Sequence, residues 1–206
     1  MPKGKPLEIT QEHENWVKEN ISYDPETGHL WWLKQNDTKR RRHLDQPAGS
    51  KSLGYLIVNI LLEDSATTLR CHRLAWFLHY GVWPKKSLDH INGIKDDNRI
   101  VNLREANPSE NAANTSKPTR RGGKLFTSKY KGVCWSKKSS KWRAKIVVNY
   151  RTVNLGDYTT EEEAALAYNK AALEYFGDYA KINIIEPLDT GITNTYISSS
   201  SGELTC

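Results

Sequence analysis

The sequence has few cysteines and no long apolar run. Cys71, Cys134 and Cys206 are far apart and form no CxxC pair, which argues against a structural zinc knuckle. A reduced, intracellular compartment is the simplest interpretation. No apolar stretch approaches the roughly 18 residues that a membrane span needs, and the polar start of the chain lacks the apolar segment of a secretory signal. We therefore expect no membrane span.

Hydrophobic residues are also scarce, at 37% of 206 residues, which favours small domains with modest cores. The formal net charge is +6. A basic surplus favours a phosphate-bearing partner, because each Lys or Arg near a phosphate releases a counterion, although an anionic membrane surface would also attract it. Seven Trp and ten Tyr favour nucleic acid, since flat rings stack on bases, but most single rings fill cores.

Turn and cap residues divide the first part of the chain into short elements. A helix follows Thr10, which is a plausible N-cap; His13 stands at the third helical position, so we expect no full capping box. The basic run Lys39–His43 is equally well interpreted as a solvated loop or a phosphate contact. The patterns predict a helix, two strands and a second helix over residues 9–20, 54–62, 67–72 and 74–80.

Residues 88–111 are the most informative stretch. Their middle part, 92–98, is rich in the turn-formers Asn, Gly and Asp, and residues 103–106 can form a short strand. Asn107 is a good N-cap and Pro108 a good first helical residue. The stretch therefore predicts a strand, a loop, a second strand and a helix.

This order of elements would bring Asp89 and Asn111 together. Carboxylate and amide oxygens suit Mg²⁺, which keeps positions open for water and phosphate. Beside it, the neutral imidazole of His90 can take a proton from water near neutral pH. The residues alone support two interpretations, metal-assisted phosphodiester cleavage or an ordinary polar surface turn. Asn98 is better interpreted as a turn residue than a ligand, and His72 as a core or hairpin histidine.

Short blocks in this stretch resemble the HNH nucleases of phages and mobile introns. The resemblance covers about residues 69–114, and Tyr23–Gly28 adds a weaker signal. It implies the ββα-metal fold, in which two strands and a helix surround one divalent ion. The blocks occur in order with the family's spacing and are His72-Arg73-Leu74, Asp89-His90-Ile91-Asn92-Gly93, Asn98-Arg99-Ile100, Asn102-Leu103-Arg104 and Ser109-Glu110-Asn111.

The resemblance also implies residue roles. His90 would be the general base, and Asp89 and Asn111 would bind Mg²⁺, with Mn²⁺ as a substitute. Asn102 matches the family's middle Asn, which braces the loop and orients the histidine. Many members have His where this chain has Asn111; the phage homing branch shares the Asn, and an amide oxygen favours a hard cation.

The composition changes at residues 116–127, which contain Arg120, Arg121 and adjacent glycines. We interpret this segment as a linker that can lie along a DNA backbone. A second unit follows, with three strands over residues 130–135, 141–148 and 151–156 and a helix that begins at the Thr160 capping box and ends at Gly177. The polar tail after residue 183 is predicted to be disordered.

The second unit resembles the AP2 DNA-binding domain, which also occurs fused to phage HNH nucleases. The resemblance covers nearly all of residues 128–183 and implies a three-stranded antiparallel sheet packed on one helix. Cys134, Ser136 and Asn154 depart from the plant pattern, so the plant target sequence does not carry over. On charge alone, a solvated sheet face is the commoner interpretation. The resemblance assigns DNA contact to Lys131, Lys141, Trp142, Arg143, Lys145, Arg151 and Thr152.

We therefore predict an α+β protein that is a metal-dependent endonuclease of homing type. Double-stranded DNA is the expected partner, and no membrane association is expected. We expect a monomer that acts in the cytoplasm of a phage-infected bacterium. The alternatives are a non-cleaving DNA-binding regulator, against which the complete set of Asp89, His90, Asn102 and Asn111 argues, and an RNA-binding protein, supported by charge and aromatics alone. The predicted domains are residues 1–115 with the HNH core at about 69–114, the linker 116–127, the AP2-like unit 128–183 and the tail 184–206.

Overall fold

Two small α+β units, each with its own core, make up most of the part of the chain that the structure describes. The computed structural model describes residues 9–35, 42–62, 65–118, 120–121 and 124–186. We call residues 9–118 the N-terminal unit and residues 128–186 the C-terminal unit. The N-terminal unit begins with α1 (Gln11–Asn20), β1 (Ile21–Tyr23), β2 (Leu30–Trp32), β3 (Ser50–Ser52), β4 (Tyr55–Leu62), β5 (Ser65–Arg70) and α2 (Cys71–Tyr80).

Helix α1 begins with a capping box that the sequence did not predict. Thr10 Oγ1 accepts a hydrogen bond from the backbone N of His13, and His13 Nδ1 accepts one from the backbone N of Thr10 at 3.3 Å. The expectation of an incomplete box was wrong because an imidazole nitrogen supplies the acceptor that Glu or Gln usually provides.

The first core lies between α1, α2 and the β3–β4–β5 sheet. Strand β4 pairs antiparallel with β5, from Ile57 opposite Arg70 to Leu62 opposite Ser65. Helix α2 follows β5 without a loop and ends at Gly81, whose φ of 74° closes the helix in the left-handed region. The fully buried members of this core are Val17, Ile21, Leu30, Val58, Ile60, Cys71, Leu74 and Phe77.

The next elements form the predicted hairpin and helix. They are β6 (Ser87–His90), a 3₁₀ turn (Ile100–Asn102), β7 (Leu103–Ala106) and α3 (Pro108–Asn114). Strands β6 and β7 pair antiparallel, with His90 opposite Leu103. Asn107 Oδ1 accepts hydrogen bonds from the backbone N of Ser109 and Glu110, each at 2.9 Å, so the predicted cap of α3 is confirmed.

The predicted linker contains a short hairpin. Strand β8 (Arg120–Arg121) pairs antiparallel with β9 (Lys124–Leu125). The backbone of the segment that we interpreted as a linker is therefore partly paired. The side chains of Arg120 and Arg121 lie outside the described residues, as do Lys39–Arg41 and residues 187–206 of the predicted tail.

The C-terminal unit has the predicted sheet and helix. Strands β10 (Val133–Ser136), β11 (Lys141–Val148) and β12 (Arg151–Tyr158) form an antiparallel sheet in that order, followed by α4 (Glu161–Phe176) and a 3₁₀ turn (Gly177–Tyr179). Alanines of α4 let the helix approach the sheet closely, and those buried in the two cores are Ala164, Ala165, Ala171 and Ala172. No helix among the described residues is long and apolar enough to cross a membrane.

Candidate functional site

His90 ends β6 and is held in a buried position. It is 5% exposed, and its Nε2 lies 3.2 Å from Oδ1 of Asn98, which is 1% exposed. With that oxygen as acceptor, Nε2 carries the proton and Nδ1 keeps a lone pair. Burial lowers the pKa of His90, partly opposed by Asn98 and by Asp89. The imidazole is therefore neutral near pH 7 and can accept a proton. Asn98 is more than the turn residue we expected from the sequence.

Asn102 braces the loop between β6 and β7. Its Oδ1 accepts from the backbone N of Asn92 at 3.0 Å, and its Nδ2 donates to the carbonyl of Asp97 at 2.8 Å. The Arg99 guanidinium, bonded to the carboxylate of Asp97, lowers the pKa of that carboxyl to about 2. The side chain of Asn102 thus fixes the loop, while the hydrogen bond to the His90 ring comes from Asn98.

Asp89, next to His90, is held by two side chains. It is 6% exposed, and its Oδ2 accepts from Arg104 Nε at 3.0 Å and Nη2 at 2.8 Å. Asn114 Nδ2 donates to both carboxylate oxygens at 3.0 Å and to the carbonyl of His90 at 2.7 Å. Sequence reasoning missed Asn114, although it lies one helical turn after Asn111, a spacing that places both on one side of α3.

Arg104 also contacts the C-terminal unit. Its Nη1 donates to the carbonyl of Asp178 at 2.8 Å, and its guanidinium lies 4.0 Å from the centroid of the Tyr179 ring. Tyr179 Oη donates to the carbonyl of Glu105 at 2.9 Å. Arg104, which pairs with Asp89, is therefore held by contacts from both units.

His72 lies in the first turn of α2, beside the predicted base. Its ring centroid is 5.1 Å from that of His90, and the Tyr55 ring packs on both imidazoles. Burial, followed by the charge of His90, lowers the pKa of His72 to about 3. A cavity of about 310 Å³ adjoins it and is also lined by Asn111. His72 and Asn111 thus line the same cavity.

The donor atoms fit a hard divalent cation. The described residues contain no group of three or more His, Cys, Asp or Glu side chains that could hold a metal. A cation here would therefore depend on the Asp89 carboxylate, amide oxygens, water and phosphate, which is a donor set typical of Mg²⁺. Asp89 Oδ1 accepts one hydrogen bond only, and the Asn111 amide makes none within the described part of the chain, so both retain lone pairs.

The residues expected to contact DNA from the C-terminal sheet fall into two groups. Lys141, Lys145, Arg151 and Thr152 are exposed on β11 and β12. Trp142, on β11, is half-buried and packs edge-on against Trp135, with centroids 5.2 Å apart. The other two predicted cations have partners within the protein.

Arg143 and Lys131 form the second group. Arg143 pairs with Asp157, with Nε 2.7 Å and Nη2 2.8 Å from the carboxylate oxygens. Lys131 donates from Nζ to the carbonyls of Ala112, Ala113 and Thr115 at the end of α3. Burial lowers the pKa of Lys131 to about 8. Lys131 precedes β10 and faces α3, because the chain turns at Gly132 with a φ of 77°. It therefore joins the two units.

The sequence matches two family models. One, described as HNH endonuclease, matches residues 70–113, and one described as AP2 domain matches residues 128–178. Protein 3.8 of Escherichia phage T7 is 32% identical over 113 residues, which cover 54% of this chain and 88% of that protein. The chain belongs to the HNH endonuclease family. Its C-terminal unit is an AP2 domain, and both resemblances noted in the sequence are confirmed.

Other relatives match one part of this HNH family member. An uncharacterized HNH endonuclease of Acanthamoeba polyphaga mimivirus is 35% identical over 101 residues, 48% of each chain. The APETALA2-like protein 2 of Oryza sativa subsp. indica is 37% identical over 68 residues, 33% of this chain and 16% of that protein. The chain thus spans about half the length of the mimivirus relative. The HNH match contains the β6–β7 hairpin and nearly all of α3.

Proposed function

We propose that the chain is a metal-dependent endonuclease that hydrolyses phosphodiester bonds in double-stranded DNA. The observation that carries this proposal is the neutral His90, held by Asn98 and placed next to the carboxylate of Asp89. A neutral imidazole beside hard oxygen donors suits the activation of water near a phosphate. Membership of the HNH endonuclease family supports the same chemistry.

In the proposed reaction, His90 Nδ1 takes a proton from a water molecule. The water oxygen attacks phosphorus, and the bond from phosphorus to the 3′ oxygen breaks. A divalent metal, when bound, would neutralise charge on the phosphate and on the departing oxygen. Asp89 and Asn111 would hold it, with Mg²⁺ or Mn²⁺ as the expected ion. Asn102 and Asn98 act as positioning residues, because one fixes the loop and the other fixes the ring of His90.

The AP2 domain would select or grip the site. Its exposed Lys141, Lys145, Arg151 and Thr152 can contact the backbone and base edges of DNA. Arg143 would have to exchange Asp157 for a phosphate, while Lys131 serves to join the units. Arg120 and Arg121 remain proposed backbone contacts.

The biological setting is proposed from the relatives. We propose a homing-type enzyme that acts in the cytoplasm of an infected bacterium, and the similarity to a protein of phage T7 supports the phage setting only. We propose a monomer, and one site in a monomer favours nicking of a single strand.

A second function also has an observation in its favour. Arg104 and Asn114 both bind the Asp89 carboxylate, which would suit a protein that binds DNA through its AP2 domain without cleaving it. This regulator would keep the hairpin as a structural element. The Asp89 Oδ1 lone pair favours the nuclease, as does the Asn111 amide, which makes no hydrogen bond to any residue that the structure describes.

Cleavage of supercoiled plasmid and of phage genomic DNA, with Mg²⁺, Mn²⁺ or EDTA, tests the proposal. We expect metal-dependent nicking or linearisation that His90→Ala abolishes, with DNA affinity within a few-fold of the original. His29→Ala is the matched control, because it removes an exposed histidine outside the site. Substantial cleavage by His90→Ala would contradict the assigned base, and tight DNA binding without any cleavage would favour the regulator.

A further inference from the structure

A basic cavity lies at the beginning of α2, next to the predicted base. It is the cavity lined by His72 and Asn111, and Arg70, Arg73 and Tyr55 line it as well. Arg70 is the N-cap of the ten-residue helix α2 and makes no side-chain capping bond. The first backbone N–H groups of a helix have no partner within the helix, so this end of α2 presents hydrogen-bond donors.

The two arginines bring positive charge without a carboxylate to balance it. Among the described residues, Arg99, Arg104 and Arg143 each pair with an aspartate, whereas Arg70 and Arg73 form no ion pair. Arg70 lies 4.4 Å from the centroid of the Tyr55 ring, which orients its guanidinium by a cation–π contact. The cavity is therefore an electropositive opening beside the site.

His72 gives an independent indication that this cavity binds a hydrogen-bonding ligand. The side chain is 4% exposed, and its Nδ1 has no hydrogen-bond partner within the described parts of the chain. A buried polar atom without a partner is costly, so native proteins usually satisfy such atoms. A phosphate oxygen in the adjoining cavity would accept a hydrogen bond from an N–H at this position.

We propose that this cavity binds a phosphodiester group of the DNA backbone, adjacent to the one that is cleaved. Arg70 and Arg73 supply the charge, the start of α2 supplies backbone N–H donors, and His72 supplies a further donor. Helix N-termini and arginines are the usual protein partners of phosphate. The inference rests on the proposed function, because the cavity reaches the site through Asn111 and the contact of His72 with His90. Binding here would fix the register of the strand on the β6–β7 hairpin.

The salt dependence of DNA binding tests this site without any cleavage. The full chain is titrated with duplex DNA in EDTA at several salt concentrations, and affinity is followed by fluorescence anisotropy. Loss of one phosphate contact should reduce the slope of log affinity against log salt by about 0.9. We expect that change in Arg70→Ala and in Arg73→Ala. Lys170→Ala, which removes one exposed cation of α4, should keep the original slope.

Inorganic phosphate provides a second readout that is independent of DNA. We expect phosphate, but not chloride at equal ionic strength, to shift the amide NMR signals of residues 71–73 saturably, and Arg73→Ala to abolish the shift. If the protein binds phosphate there but cuts no DNA, the cavity stands and the proposed function fails. If the protein cuts DNA while both arginine variants keep the slope and phosphate shifts no signal, the cavity proposal is overturned.

Discussion

Two ion pairs in this protein have the same length and different burial, which makes the contribution of Arg104 measurable. Arg104 Nη2 lies 2.8 Å from Asp89, and Lys51 Nζ lies 2.8 Å from Asp96. The side chains of Arg104 and Asp89 are 16% and 7% exposed, whereas that of Lys51 is 74% exposed. Removing one partner of a buried pair leaves an uncompensated charge and costs about 3–5 kcal/mol. An exposed pair contributes about 0–1 kcal/mol.

We therefore expect Arg104→Met to lower the free energy of unfolding by about 3 kcal/mol. The lower end of the range applies because Asn114 still donates to Asp89, and methionine keeps much of the apolar contact with Tyr179. Lys51→Met should lose much less, because solvent screens an exposed ion pair. Urea unfolding in EDTA, followed by tryptophan fluorescence, measures both values. In thermal unfolding the Arg104→Met loss corresponds to a fall of about 6–12 °C.

Mg²⁺ adds a second arm to this experiment. With Arg104 gone, Asp89 loses a cation that a metal can replace. A ligand at 100 times its Kd stabilises the folded state by about 2.7 kcal/mol, so saturating Mg²⁺ should recover most of the Arg104→Met loss. A loss no larger than that of Lys51→Met would refute the assignment of Arg104 as the main partner of Asp89. A full loss that Mg²⁺ leaves unchanged would argue against Asp89 as a metal ligand.

Two further variants test the fold around the site. Gly132 and Gly93 have φ of 77° and 76°, but a Cβ at Gly132 would overlap the Tyr168 ring whereas none at Gly93 would meet an atom within 4 Å. Gly93→Ala should cost about 1–2 kcal/mol of backbone strain, and Gly132→Ala about 1–3 kcal/mol more; equal losses in thermal unfolding would contradict this. Burial lowers the pKa of His72 to about 3 in the folded state, so the unfolded chain binds a proton at a higher pH than the folded protein does. The free energy of unfolding therefore decreases as the pH falls. His72→Gln should flatten that loss between about pH 6 and pH 4, and parallel denaturation curves would refute it.

The parts of the fold with local causes were predictable from the sequence. Asn107, Pro108 and Glu110 predict the start of α3 because each satisfies a requirement of the first helical turn, and the structure begins the helix at Pro108. Alternation of Trp142, Ala144 and Ile146 likewise predicted β11. These signals depend on neighbouring residues only.

The parts that depend on contacts between distant segments were not predictable. Asn98 and Asn114 are buried amides, and their roles depend on how the loop and α3 close over His90 and Asp89. Lys131 was predicted from its family position to contact DNA, yet its ammonium meets the end of α3 because the two units dock there. No pattern in a single sequence contains that docking.

The contacts of Lys131 and Tyr179 limit how this protein can be engineered. A chimera that joined residues 9–127 to an unrelated DNA-binding domain would lose the lysine that caps α3 and the ring on which Arg104 stacks. The N-terminal unit would then carry both defects into any chimera. If the AP2 domain selects the DNA site as proposed, specificity is therefore better changed at the exposed strand residues of this domain than by replacing the domain.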